Sequence, residues 1–352
     1  MKIIVDAMGG DNAPQAPVKG ALDAVRELPG IQVILVGQGD AILAALKEED
    51  VQDLPPEIEV VHASEVVEMC DNPATAFKEK KDSSLTIGLN LLKNGKGDAF
   101  VSAGSTGALL SGATLLVKRI KGIRRAALCP VIPTKGRGTV LIDCGANAVC
   151  TPEYLLQFAF MGSYYAERAL GCPEPRVGLL NIGVEESKGT DLQKETYQLL
   201  KEADIQGRIH FAGNVEAREA MLGAVDVLVS DGYSGNIFLK TVEGTALYLS
   251  GMIKTMFKKN FFTKLAALMV SGGLKEFKKK LDSGEVGGTA LLGISKPVIK
   301  AHGSSDARAI KNAIRQASQY ASSGIVEGIA ENIDYMRVPT PTKADGEERK
   351  AD

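Results

Sequence analysis

Short aliphatic runs recur along the chain, each stopped by a small polar or glycine-rich turn and most followed by a stretch with helical spacing. In order they are KIIVDA before MGGD, QVILVG before QGD, IEVVHA before SE, and DAFVSAG before STG. Further along come AALCPVIP, GTVLIDCGAN, RVGLLNIG before VEESKGT, RIHFAGN, VDVLVSDG before YSGN, and KPVIKAHG before SSD. Strands that are apolar without alternation are buried on both faces, and interleaved helices supply the cover. The pattern predicts a three-layer α/β/α sandwich on a mostly parallel sheet across residues 1–335, either one unit or two lobes sharing a cleft.

Helix starts are well marked. Thr151 precedes a first-turn proline, Pro152. Thr190 and Gln193 form a capping box ahead of DLQKETYQLLKEA. Ser305-Asp306 opens one long helix through SDARAIKNAIRQASQYASSGIVEGIAENI, with Ile310, Ala313, Ile314, Ala317, Ala321 and Ile325 on a single face. The stretch AFVSAGSTGALLSGATLLV, residues 99–117, runs nineteen positions without a charge. That length allows a membrane span, but Gly, Ser and Thr cluster around SAGSTG. The expectation is a strand, a turn with its cap at Ser105-Thr106, and a buried helix ended by basic residues. The tail, 337–352, has no core-forming pattern and is expected to be disordered.

Residues 252–282 break the rhythm. They contain no strand pattern and predict an inserted hairpin of two amphipathic helices around Gly272-Gly273. Residues 253–281 hold eight lysines against one glutamate, in a chain of net charge −2. Phe261, Phe262, Leu265, Leu268, Met269 and Val270 bring apolar side chains close to the turn. A basic amphipathic hairpin suits an anionic membrane surface or an acidic partner. A dimer arm with a solvated lysine face explains the same residues.

Composition narrows the classes. Hydrophobic residues make up 45% and charged residues 24%, with no Trp, a globular balance that offers no basic surface or aromatic platform for nucleic acid. The N-terminus lacks a signal-peptide pattern. Five cysteines without a CxxC pair fit reduced thiols of the cytoplasm, and three scattered histidines make no metal motif. The expectation is therefore no metal and no cofactor.

Ligands of parallel sheets bind beyond the carboxyl ends of the strands. There the chain places Asp6, Gly9, Gly10 and Asp11; Ser102, Gly104, Ser105, Thr106 and Gly107; Asp143 to Asn147; Asn181; Asp231, Ser234, Gly235 and Asn236; and His302 with Ser304 and Ser305. Glycines let backbone N–H groups approach a ligand, and helix N-termini favour anions. These loops are expected to converge on one rim, suiting a phosphate or a developing oxyanion. Tight turns and helix caps use the same residue types. No P-loop, dinucleotide fingerprint or GxSxG elbow occurs. Cys144 is a weak nucleophile candidate, because no histidine stands near it in sequence.

IVDAMGGDNAP, FVSAGSTGALL, LIDCGAN, LLNIGVEESKGTDLQKE and VLVSDGYSGNIFLKTVEG, in that order, closely resemble the phosphate acyltransferase family of bacterial phospholipid synthesis. The resemblance covers roughly residues 1–335. It implies a fold similar to the isocitrate and isopropylmalate dehydrogenases and to phosphotransacetylase, and a homodimer. It implies conversion of fatty acyl-ACP and inorganic phosphate to acyl phosphate and free acyl carrier protein, at the inner face of the membrane. Inorganic phosphate can attack a thioester directly, so the expected mechanism has no acyl-enzyme. Ser102, Ser105, Thr106 and Lys188 are expected to hold phosphate or the carbonyl. Asp231, Ser234 and Asn236 position the thioester, Asn147 and Asn181 donate to the oxyanion, and His302 carries a proton to the leaving thiolate. An NAD- and metal-dependent dehydrogenase of similar fold and a non-catalytic membrane-surface scaffold are the competing classes.

Overall fold

The computed structural model describes residues 1–136, 138–281 and 287–338, with side chains undescribed at 278–281. Each aliphatic run forms a strand: β1 (Lys2–Asp6), β2 (Gln32–Gly37), β3 (Ile58–His62), β4 (Ala99–Ser102), β5 (Ala127–Cys129), β6 (Val131–Ile132), β7 (Thr139–Ile142), β8 (Arg176–Leu180), β9 (His210–Val215) and β10 (Val227–Val229). After these come β11 (Thr289–Leu292) and β12 (Val298–Lys300). Strand β11 is absent from the sequence expectation. Its four residues, TALL, lie between Gly288 and Gly293, too short a run to stand out.

Two sheets result, with strand orders β3-β2-β1-β4-β12-β11-β5 and β6-β7-β10-β8-β9. Strands β3, β2, β1, β4 and β12 are mutually parallel, as are β7, β10, β8 and β9. The run AALCPVIP carries the chain from one sheet to the other, β5 and β6 being separated only by Pro130. Strand β11 is antiparallel to both β12 and β5, and β7 is antiparallel to β6. The backbone N–H of Leu141 also donates to Pro130 O at 3.0 Å, extending that pairing toward β5. The two parallel blocks therefore run in opposite senses across the strand they share.

Side-chain alternation explains the three layers. Ile3, Val5, Val33, Leu35, Val101, Val140, Ile142, Val227 and Val229 face one apolar cluster. Ile4, Ile34, Val36, Phe100, Leu141 and Leu228, offset by one position, face the other. Each cluster draws on both sheets, so helices cover both faces of both.

The stretch 99–117 is a strand–turn–helix unit. Strand β4 leads through Ser105, whose Oγ caps the helix Thr106–Gly112, into a π-helical turn at Ala113–Val117. Among the described residues no helix is long and apolar enough to cross a membrane. The proline-started helix Pro152–Leu170 and the capping box of Asp191–Ile205 form as expected.

Two boundaries differ from expectation. The long C-terminal helix is two, Ala307–Ser322 and Ile325–Glu331, because Gly324 adopts a left-handed conformation between them. Residues 252–281 are the end of the helix Gly232–Lys258 followed by Phe261–Met269 and Ser271–Leu281. The breaks fall at Lys259-Asn260 and at Val270, where Asn260 forms a capping box with Thr263. Gly272 and Gly273 lie inside the last helix, so they are not its turn. Asp282 and the tail from residue 339 onward lie outside the described residues.

Phe100 is fully buried in the middle of the first sheet, its ring against the bare backbone of Gly88. Phe100→Ala removes contacts from one face cluster and should destabilise the chain by roughly 3–5 kcal/mol, measured by chemical denaturation.

Candidate active site

The turns after β1, β4 and β12 form one polar cluster. Asp6, buried at the end of β1, accepts from Ser102 Oγ at 2.7 Å and from Met8 N at 3.2 Å. Ser102 Oγ in turn accepts from Gly104 N at 3.0 Å. Asp11 N donates to Gly303 O at 2.8 Å, tying the first turn to the last. Asn12 Nδ2 reaches Ser304 O and Ser305 O, each at 3.2 Å. The approach is close enough to demand glycine: a Cβ on Gly9 would sit 2.5 Å from Asp6 Oδ2, and one on Gly10 would sit 2.9 Å from Gly303 O. Gly10 also has φ +101°, a conformation side chains rarely adopt. Gly107 packs against Pro73 in the same way.

Sequence reasoning missed the charge at the centre of this cluster. Lys300, the last residue of β12, is buried, and its ammonium donates to Ala103 O at 3.3 Å and to Ala301 O. Burial pushes its pKa down to about 8, against the pull of the Asp6 and Asp11 carboxylates. Burial also raises the Asp6 carboxyl, while Ser84 and Ser102 lower it. The available signal was a lysine ending an otherwise apolar parallel strand, KPVIK, where a charge cannot be buried without partners.

A second cluster sits at the ends of β7, β10 and β8. Asp143 is fully buried, and its Oδ1 accepts from the N–H groups of Leu128 at 2.9 Å, Cys144 at 2.8 Å and Ala146 at 3.2 Å. Its Oδ2 accepts from Asn147 N at 2.7 Å and Asn147 Nδ2 at 3.0 Å. Burial raises this carboxyl above the usual range, opposed by the same N–H donors. Gly232 N donates to Asn147 O at 2.8 Å, locking DCGAN to SDGYSGN. Gly235 allows this contact, since a Cβ there would lie 2.0 Å from Asp143 O. Asp231 caps the helix Gly232–Lys258, accepting from Ser234 N at 2.8 Å. Beside them, Asn181 accepts from Ile182 N at 2.8 Å and donates one amide hydrogen to Lys188 O at 3.2 Å.

The expected residues thus gather in two hydrogen-bonded groups, one for each parallel block. Among the described residues no hydrogen bond joins the two groups. The blocks run in opposite senses because β6 and β7 pair antiparallel, the two reversals at β11 cancelling between β12 and β5. Roles change as well. Asn147 gives both amide hydrogens to Ala126 O and Asp143, so it braces the loop and has none left for an oxyanion. The Ser102 hydroxyl is held between Asp6 and Gly104 N, and Ser105 caps a helix, so both support the loop. Thr106, Lys188, Asn236 and His302 are exposed. His302 Nδ1 lies 2.8 Å from Ser304 Oγ. The buried Cys144 thiol is pushed far up by desolvation, which keeps it protonated. Among the described residues, no three His, Cys, Asp or Glu side chains gather as a metal-holding group.

The profile of a family described as "Fatty acid synthesis protein" matches residues 1–327. A phosphate acyltransferase of Alkaliphilus oremlandii is 50% identical over 337 residues, 96% of this chain and 98% of that one. The chain belongs to the phosphate acyltransferase family. Further members from Bacillus licheniformis and Clostridium acetobutylicum are each 47% identical, over 95% and 96% of this chain and 98% and 100% of theirs. As a member of this family it is an acyltransferase. Among solved structures, a phosphotransacetylase from Streptococcus pyogenes superimposes with a TM-score of 0.62 at 19% identity, covering 92% of this chain and 94% of that one. A branched-chain phosphotransacylase from Enterococcus faecalis gives 0.54 at 16%, over 92% and 100% of the two chains. These likenesses establish the fold. A 4-hydroxythreonine-4-phosphate dehydrogenase from Burkholderia phymatum shares it at 0.50 and 13%, over 90% and 97%, so fold alone does not choose between acyl transfer and dehydrogenation. The sequence relatives favour acyl transfer.

Lys300 carries a pH signature. Its folded pKa lies below the ordinary 10.5, at about 8, so the unfolded chain binds the extra proton between those values. Stability from this group therefore rises with pH across that window. Lys300→Met should lose the rise, the difference from wild type shifting in favour of wild type by on the order of 3 kcal/mol from pH 8 to 10.5. Denaturation of both proteins at a series of pH values checks it.

Proposed function

We propose that the chain transfers a fatty acyl group from acyl carrier protein to inorganic phosphate, releasing the free carrier, in phospholipid synthesis. The observation that carries this reading is near-full-length identity of 45–50% to phosphate acyltransferases. A phosphate oxygen attacks the thioester carbonyl, the tetrahedral oxyanion collapses, the C–S bond breaks and the thiolate takes a proton. Cys144, buried and protonated, is a poor acyl acceptor, in keeping with direct attack. Lys188, the remaining amide hydrogen of Asn181, and the Ser234–Asn236 turn would receive phosphate and the carbonyl. One well-aimed donor to the oxyanion is worth roughly 3 kcal/mol. His302 would protonate the thiolate, which requires the thioester sulfur to lie between the two clusters. Phosphate-dependent release of carrier thiol, with the acyl phosphate trapped by hydroxylamine, is the expected result. Thiol release independent of phosphate would instead indicate a thioesterase or an acyl-enzyme, and no release would indicate a scaffold.

The helix Gly232–Lys258 buries only Gly232 and Gly235, leaving Leu247, Tyr248, Met252 and Met256 exposed. We infer that a second copy of the chain covers this helix. Phe261, Phe262, Leu265, Leu268, Met269 and Val270 are exposed beyond it, alongside Lys258, Lys259 and Lys264. This arrangement supports peripheral association with the anionic cytoplasmic face of a membrane, each lysine near the surface contributing about 1 kcal/mol. Vesicle flotation should weaken with added salt and with Leu268→Glu; flotation unchanged by the substitution would sink apolar insertion.

A further inference from the structure

We infer that Asn214 is a positioning residue for phosphate capture, acting through the backbone of Lys188. A bulge in β9 delivers it. Between Phe211 and Asn214 this strand advances three residues, while β8 alongside advances two, from Val177 to Leu179. With regular pairing Gly213 would stand opposite Leu179, and the extra residue puts Asn214 there instead. Gly213 takes up the irregularity at φ +91°, with open space where a Cβ would lie. Bulges are frequent beside active sites, where they re-aim a side chain. Here the re-aimed group is an amide on the edge strand of its sheet, left only 5% exposed.

The amide meets the loop after β8. Asn214 Nδ2 donates to Glu185 O at 2.9 Å, and the same carbonyl accepts from Lys188 N at 3.1 Å. Asn181 Nδ2 donates to Lys188 O at 3.2 Å. The Lys188 backbone is therefore held at its C=O by Asn181 and at its N–H through Glu185 O, while the side chain is exposed. The neighbouring Glu186 carboxylate is committed to Lys201 Nζ at 2.6 Å and to the Tyr197 hydroxyl at 3.1 Å. Among the described residues no ion pair engages the Lys188 ammonium. A cation fixed at its root and uncommitted at its tip suits an incoming anion. The other end of the Asn214 amide argues against a purely structural brace. Its Oδ1 is buried with no hydrogen-bond partner among the described residues, and a buried acceptor left so detracts from stability. The role depends on the acyl-transfer reading, in which Lys188 meets phosphate, and adds the residue that sets where the ammonium stands.

The test measures KM for inorganic phosphate in the full chain and in Asn214→Ala, Lys188→Met and the double variant. Asn214→Ala should raise KM for phosphate roughly tenfold, with kcat and KM for the acyl carrier substrate unchanged. In the Lys188→Met background the same substitution should add nothing, because its effect passes through that ammonium. Losses that multiply in the double variant, or an unchanged phosphate KM in either single one, overturn the proposal. Gly213→Ala disturbs the bulge without touching the amide and should repeat the phosphate effect, again only where Lys188 is present. Shielding of Lys188 from acetic anhydride by inorganic phosphate, read by mass spectrometry, needs no turnover. It should require roughly tenfold more phosphate in Asn214→Ala than in wild type, and equal shielding overturns the proposal. If that difference is found but wild type shows no phosphate-dependent thiol release, the proposed reaction fails while the positioning role stands.

Discussion

The Asp143 carboxylate occupies the junction on which this architecture depends. It is fully buried, and its two oxygens take N–H groups from its own turn and from Leu128 in the other sheet. A buried carboxylate without such donors would be strongly unfavourable. The turn must therefore keep this shape, and the shape sets the neighbours. Asn147 is drawn onto Asp143 and Ala126, its carbonyl receives Gly232, and the long helix after Asp231 begins where that contact allows. One ionisable group thus ties the strand shared by the sheets to the loops that border the second cluster.

The first cluster sets a buried cation beside its own buried aspartate, Asp6. Lys300 brings an ammonium under three turns whose carbonyls and carboxylates surround it, and glycines let those turns approach. Each block thus has a buried aspartate at its carboxyl edge, Asp143 in one and Asp6 in the other, and the first block adds the buried Lys300 beside it. The loops are held by these charges and by serine and asparagine brackets, while Lys188, Asn236, Thr106 and His302 stay exposed to solvent. A rigid lower layer with free groups above it is what positional catalysis needs.

Most of the fold was legible because a strand buried on both faces must be apolar without alternation, and KIIVD, QVILVG and VLV can be little else. The capping box at Thr190 and the proline at 152 were equally plain. Strand β11 was not, being four residues between glycines, and neither was the antiparallel pairing of β7 with the two-residue β6 that sets the two blocks in opposite senses. The site was legible as loops but not as roles. Ser102, Ser105 and Asn147 have the chemistry to bind a ligand and the chemistry to brace a turn, and only coordinates show that the Ser102 and Asn147 hydrogens are committed and that the Ser105 oxygen caps a helix. Lys300 went unread because periodicity treats a strand-end lysine as the start of solvent.

The first sheet is discontinuous in sequence. Strand β12 is inserted between β4 and β11, pairing Phe100 with Val298 after the entire second sheet has intervened. During synthesis β4 has no partner on that side until nearly the whole chain has emerged, whereas β6 to β10 are complete much earlier. Pairings of such long sequence separation slow folding and leave an unpaired edge exposed meanwhile. The middle of the polypeptide is thus able to assemble ahead of the amino-terminal portion, and a ribosome-bound fragment ending before residue 298 would present β4 as an open template for aggregation or chaperone capture.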